Sequence, residues 1–238
     1  MYLHYVFDLW IEAWRQKVAT GDVIVVRYAD DLVVGFENRM EAERFLEAFR
    51  ERLAKFGLEL HPEKTRLIEF GRFAAQNREK RGEGKPETFT FLGFTHYCGK
   101  RRSNGAFIVW RKTAKKRMVA KLHALEVELR LRMHEPVAAV GVWLRKVVNG
   151  DYRYHAVPGN IDRLSVCGQR LRRLWQLILH RRSQRRMSWD RALRIFKRGL
   201  RSSTRFASLS YRSLSRHSSK VGAVCVDAPV RFCAGGDP

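Results

Sequence analysis

Long apolar runs are missing from this 238-residue chain, and no stretch approaches the ~20 residues a helix needs to cross a bilayer. Cysteines are few: Cys98, Cys167, Cys225 and Cys233 include no C-x-x-C pair. That argues against a zinc site and for reduced thiols in a cytosolic protein. The opening MYLHYVFDLW lacks the basic stretch and small-residue cleavage site of a signal peptide, so the expected location is cytoplasmic. Acidic residues are scarce in one part only. Residues 1–99 carry 15 Lys and Arg against 16 Asp and Glu, whereas residues 100–238 carry 32 against 8. The whole of the +23 net charge therefore lies in the second part. A surplus of that size repels itself, and a polyanionic partner is the ordinary reason to carry it. Nucleic acid fits, and the dominance of arginine suits bidentate phosphate contacts. A membrane surface fits poorly, because no long helix shows a clean apolar face flanked only by lysines.

What the chain does contain is enough apolar residue, 45%, for a packed core. Its most apolar stretch, VIVVRYADDLVVGF from Val23 to Phe36, has two adjacent carboxylates at its centre, Asp30 and Asp31. The flanks read as two short strands and Tyr28-Ala29-Asp30-Asp31 as their tight connection. Asp is an ordinary turn residue, so this can be a plain hairpin. It can equally be a rigid device that holds two acids where a divalent cation collects them.

Local patterns divide the chain. Leu3 to Ala19 reads as a helix with Val6, Trp10, Ala13, Trp14 and Val18 on one stripe. Asn38 with Glu41 predicts a capped helix that buries Phe45, Leu46, Phe49, Leu53 and Phe56 and stops at Gly57. Leu58 to Leu60 and Arg66 to Phe70 read as strands around the turn His61-Pro62-Glu63-Lys64. Arg72 to Pro86 reads as a mobile surface loop, and Phe89 to Tyr97 and Ala106 to Trp110 as strands. Beyond Thr113 the period becomes helical. One helix is predicted over Ala114 to Met133, with Met118, Leu122, Leu125 and Leu129 inward. A second starts at Pro136 and closes at Asn149-Gly150, a third spans Ile161 to His180, and Ser188 caps a fourth. The expected fold is α+β: an α/β domain over residues 1–110, an all-α basic domain over 111–200, and an irregular basic tail over 201–238.

Taken in order, YADD between apolar strands, GLELHPEKTRLIEF and FTFLGF resemble the last palm blocks of a group II intron reverse transcriptase. The opening YLHYVFDLW resembles the segment before YADD, and VVNGDYRYHAVPGN with the helices after it is similar to that family's thumb, the maturase or X domain. The resemblance covers roughly residues 1–200. It implies a partial reverse-transcriptase palm followed by a helical thumb, and RNA-directed DNA synthesis at a two-ion Mg2+ centre. By the same resemblance Asp30 is the principal metal ligand, Asp31 the weaker one, and Tyr28 lies near the primer terminus. Lys64 either helps neutralise the departing pyrophosphate or is a solvated turn lysine, and Phe91, Leu92 and Gly93, with Phe94, form the hairpin that grips the primer, pack in the core, or do both.

The family's fingers and a third carboxylate belong to blocks that would precede residue 1. Asp8 and Asp22 match neither and read as surface acids. The expectation is a chain inactive alone, unless a separate polypeptide supplies those parts. The alternative is a non-catalytic maturase remnant that binds intron RNA. For RNA contact the sequence offers Lys112, Lys115, Lys116 and Arg117, and a second group of Arg170, Arg172, Arg173, Arg181, Arg182, Arg185 and Arg186. Trp143, Tyr152, Tyr154 and Trp175 interleave with them, as base-stacking platforms or as core.

Overall fold

The computed structural model describes residues 2–183 and, beyond them, residues 188, 194, 222–227 and 230–232. The architecture is α+β. The chain separates into two compact units, one holding residues 1–91, 96–109 and 218–238, the other residues 92–95 and 110–217.

The first unit opens with a π-helical turn, His4–Asp8, that runs into α1, Leu9–Lys17. The π turn takes an extra residue into its winding. The buried stripe is accordingly Val6, Phe7, Ile11 and Trp14, while Ala13 and Val18 stay exposed. β1 (Val23–Tyr28) and β2 (Asp31–Phe36) form an antiparallel hairpin, registered from Val23 with Phe36 to Tyr28 with Asp31. Helix α2, Arg39–Ala54, covers it with Ala42, Phe45, Phe49 and Leu53, all fully buried. Trp14, Phe36, Phe45 and Phe49 meet ring to ring at 5.1–5.9 Å.

Two local expectations for α2 part company. Asn38 does occupy the cap position, but its side chain makes no capping bond. Glu41 turns away from it and accepts from the backbone N–H and hydroxyl of Thr20. The chain leaves past Gly57 at φ +65°, a conformation that suits glycine.

β3 (Leu58–Leu60) and β4 (Arg66–Gly71) do not pair with each other. Their partners come from the far end of the chain. β8, Gly222–Asp227, lies between β2 and β4, antiparallel to both, giving the order β1-β2-β8-β4. β9, Val230–Phe232, pairs with β3. The tail that reads as irregular thus supplies two strands, and the rest of residues 201–238 lies outside the described residues. The segment read as a mobile loop contains α3, Ala74–Lys80, whose residues apart from Asn77 are good helix formers. Arg81 beyond it bonds Glu69 and Glu83.

The third sheet has the order β5 (Phe89–Phe91), β6 (Phe94–Lys100), β7 (Phe107–Thr113). FTFLGF is two strands rather than one, because Leu92 and Gly93 take φ +49° and +81° and reverse the chain.

In the second unit α4 (Lys115–Leu131), α5 (Val137–His155) and α6 (Ile161–Ser183) share one core. The predicted quartet Met118, Leu122, Leu125 and Leu129 is buried there, beside Leu144, Leu171 and Trp175. Helix α5 runs straight through Asn149-Gly150, since Leu144, Val148 and the half-buried Tyr152 keep its apolar face continuous beyond them. Pro158, which disfavours helix in the residue before it, follows its end. The helix expected from Ser188 lies largely outside the described residues.

Candidate active site and nucleic-acid interface

The β1–β2 register decides which residues the hairpin presents. Only Ala29 and Asp30 form the connection, and Tyr28 with Asp31 is the last rung of the ladder. Directly paired residues share a face. Val23, Val25, Leu32, Val34 and Phe36 belong to the core side. Tyr28 therefore falls on the opposite face with Ile24 and Val26, and all three are exposed. Asp31 shares that face, and Asp30 projects from the turn beside it. Ala29 carries φ +53°, a strained value for alanine of the kind that collects at functional turns.

Both carboxylates are exposed, and neither forms an ion pair with any described residue. Two uncommitted oxygen-donor side chains on a rigid tip suit a hard divalent cation such as Mg2+. They are a partial set: among the described residues no third His, Cys, Asp or Glu joins them. Asp8 is not the missing member. Its carboxylate takes a two-pronged bond from Arg27, at 2.7 Å from Nε and 2.6 Å from Nη2, with His4 at 3.1 Å. The Arg27 hydrogen bond holds the Asp8 carboxyl below its usual range, against the opposing pull of burial. What reads as a surface acid is thus the clamp between the helical segment and the hairpin, because Arg27 lies on the core side of β1.

β8 brings a further acidic position to this end of the sheet. The Cα of Asp227 pairs with those of Val33 and Arg66, two residues along β2 from Asp31. Sequence reasoning missed it because its neighbours in the fold lie far away in the chain.

Lys64 is exposed in the turn that the His61 carbonyl closes by accepting from the Lys64 and Thr65 N–H groups. It makes no ion pair with either aspartate. Phe91 and Phe94 are core residues, and Gly93 is buried. The Leu92 carbonyl accepts from Tyr154 Oη at 2.6 Å, and the Gly93 carbonyl from the Ala114 N–H at 2.9 Å. The turn's backbone acceptors are thus already engaged by protein.

On the helical unit Lys115, Lys116 and Arg117 are exposed at the start of α4, and Arg170, Arg173, Arg181 and Arg182 along α6. Lys112 is half-buried. Arg172 is half-buried too, on the Tyr152 side of α6, and does not belong to the solvent-facing row. Arg182 donates to the Glu135 carbonyl. Arg185 and Arg186 lie outside the described residues.

Trp175 is core, and Trp143 packs on the core under the Arg132 guanidinium, 4.7 Å from the ring centre. Tyr152 donates to the Leu164 carbonyl at 3.1 Å, and burial pushes its hydroxyl up to about 12. Of the four aromatics only Tyr154 is largely exposed.

Residues 1–96 match the family model described as "Reverse transcriptase (RNA-dependent DNA polymerase)". The matched span holds the whole β1–β2 hairpin, Lys64 and the Leu92-Gly93 turn. No curated protein and no solved structure matches the chain.

Proposed function

We propose that this chain is part of the palm, with the thumb, of a group II intron reverse transcriptase, inactive alone, and that its maturase-type helical unit binds intron RNA. The observation that carries the reading is the pair of uncommitted carboxylates, Asp30 and Asp31, on a hairpin tip inside the matched span. When bound, divalent ions activate the primer 3′-hydroxyl and steady the leaving pyrophosphate. Asp30 and Asp31 would hold Mg2+, Asp30 as principal ligand. Tyr28 offers its exposed ring to the primer terminus from the same face as Asp31, and Lys64 neutralises pyrophosphate. Asp227, whose backbone rung lies two residues along β2 from Asp31, is the acid we test as a third donor. RNA template and DNA primer are the substrates. The exposed cations of α4 and α6 hold RNA through its phosphates.

A second reading, RNA binding without polymerisation, draws support from the incomplete donor set among the described residues. Primer extension on an RNA template with Mg2+ separates the two, run with and without a polypeptide supplying the fingers. Extension that is lost in Asp30→Asn and in Asp227→Asn supports the first reading in full. Extension that survives Asp227→Asn removes Asp227 from the site. RNA binding with no extension under either condition selects the second. Independently of activity, Fe2+ in place of Mg2+, with ascorbate and hydrogen peroxide added, should cleave the backbone near residues 28–33 in the wild type and not in Asp30→Asn/Asp31→Asn. Equal cleavage in both would refute metal binding at the hairpin.

A further inference from the structure

A cavity of about 520 Å³ opens in the helical unit where the end of β7 meets α4, α5 and α6. That volume lies within the range of small-ligand sites. Its walls are largely apolar, with Met118 and Leu164 both buried and Ala120 beside them. Four cations stand around it: Lys116, Arg117 and Lys121 from α4, and Arg163 from α6. None of the four forms an ion pair with a described carboxylate. The one acid in the lining, Asp151, is engaged by His155, with Nδ1 to Oδ1 at 3.4 Å.

The walls are built rather than incidental. Asn160 is fully buried and accepts from the Thr113 N–H at 2.8 Å. It donates to the Thr113 hydroxyl at 2.7 Å and to the His155 carbonyl at 2.8 Å. Thr113 and His155 both line the cavity, so one side chain fixes its two sides.

An apolar hollow under an unneutralised cationic rim is complementary to a flat, weakly polar ring that carries a phosphate. We infer that this cavity receives one unstacked nucleotide of single-stranded RNA, its base against Met118, Ala120 and Leu164 and its phosphate at Lys116, Lys121 and Arg163. Duplex RNA cannot enter, because its bases stay stacked and paired; it meets only the outer cations. The inference rests on the RNA-binding reading above and adds a site where that reading has only a charged face.

Cys167 lines the same cavity, and burial pushes its thiol up to about 11. It is a built-in reporter. The test is the rate of maleimide modification of Cys167 in the full chain, read by peptide mass spectrometry. The additions are a single-stranded RNA 10-mer, duplex RNA, 5′-AMP or inorganic phosphate, and binding of the RNA species is measured in parallel. The 10-mer should slow modification of Cys167 about tenfold, the scale of one stacked base, and duplex RNA should bind without protecting. Ala120→Trp, which fills the hollow from an exposed helix position, should abolish protection and weaken 10-mer affinity about tenfold, with duplex affinity unchanged. Lys121→Glu/Arg163→Glu should also abolish protection without adding bulk, and should weaken 10-mer affinity more than duplex affinity.

Equal protection by duplex, or a 10-mer affinity indifferent to both variants, overturns the proposal while leaving general RNA binding intact. Protection by AMP or phosphate but not by the 10-mer shows a free-nucleotide or anion site, and overturns it too. Failure of the wild type to bind any RNA would remove the underlying reading instead.

Discussion

Asn160 offers the most quantitative test of how the helical unit is held. The side chain is fully buried, and all three of its hydrogen bonds, at 2.7–2.8 Å, go to groups on other segments. Asn160→Ala removes about three net contributions near 1 kcal/mol each and leaves the Thr113 N–H buried, with its partner gone. An orphaned buried donor costs a further ~1–3 kcal/mol, so the expected loss is about 4–6 kcal/mol. Against a typical domain stability of about 5–15 kcal/mol, that is a large fraction. Thr113→Val removes only the hydroxyl, and should cost about 1 kcal/mol. In the double variant most of that smaller loss should disappear, because the hydroxyl's partner is already absent. Urea unfolding followed by circular dichroism at 222 nm measures each. A loss under 1 kcal/mol for Asn160→Ala, or strict additivity with Thr113→Val, would refute the account of Asn160 as the clamp.

The Asp8–Arg27 pair predicts a pH dependence. The folded Asp8 carboxyl lies below its ordinary value of 3.8, so its stabilisation is complete above that value. It is lost as pH falls through the lower folded value. Asp8→Asn should flatten the stability profile below pH 4 in acid titration of the melting temperature, and an unchanged profile would refute the assignment. Removal of residues 218–238 takes the middle strand out of β1-β2-β8-β4 and exposes two apolar edges. The soluble fraction should fall and light scattering rise, and an equally soluble, cooperatively melting product would contradict the topology. Arg181→Glu/Arg182→Glu should weaken RNA binding and lower the slope of log K against log salt by roughly 0.7–0.9 for each phosphate no longer neutralised. Asp30→Ala/Asp31→Ala should leave both unchanged; an intact slope in the arginine variant would reduce that face to solvated surface.

What could be read ahead of the structure was local. Met118, Leu122, Leu125 and Leu129 recur at helical spacing, and they are the inner face of α4. The YADD hairpin was legible because β-branched runs flank a turn. Several of the misses have causes that the local pattern does not carry. The stripe on α1 moved because a π turn precedes it. Glu41 matched a capping pattern but found a closer donor in Thr20, from another element. Asn149-Gly150 carries a stop signal that the buried face of α5 overrides. Arg27 and Asp8 stand 19 residues apart, and nothing in either neighbourhood announces the other. The cavity in the helical unit depends on three helices and one strand end meeting, which no window along the chain contains.

The placement of β8 also has a consequence in time. Phe36 pairs with Val224, so closing the first sheet spans about 190 residues of chain. Loop closure over that length adds only modest entropy, but contacts so distant in sequence make folding slow. During synthesis the delay is longer still. At about 5–20 residues per second, the open edge of β2 waits roughly 10–40 s for its neighbour to be translated. Through that interval the backbone edge of Val33, Val34 and Gly35 stays unpaired, open to any extended segment nearby. Slowing translation beyond codon 40 should therefore increase misassembly, whereas a domain closed by sequential hairpins would tolerate the pause.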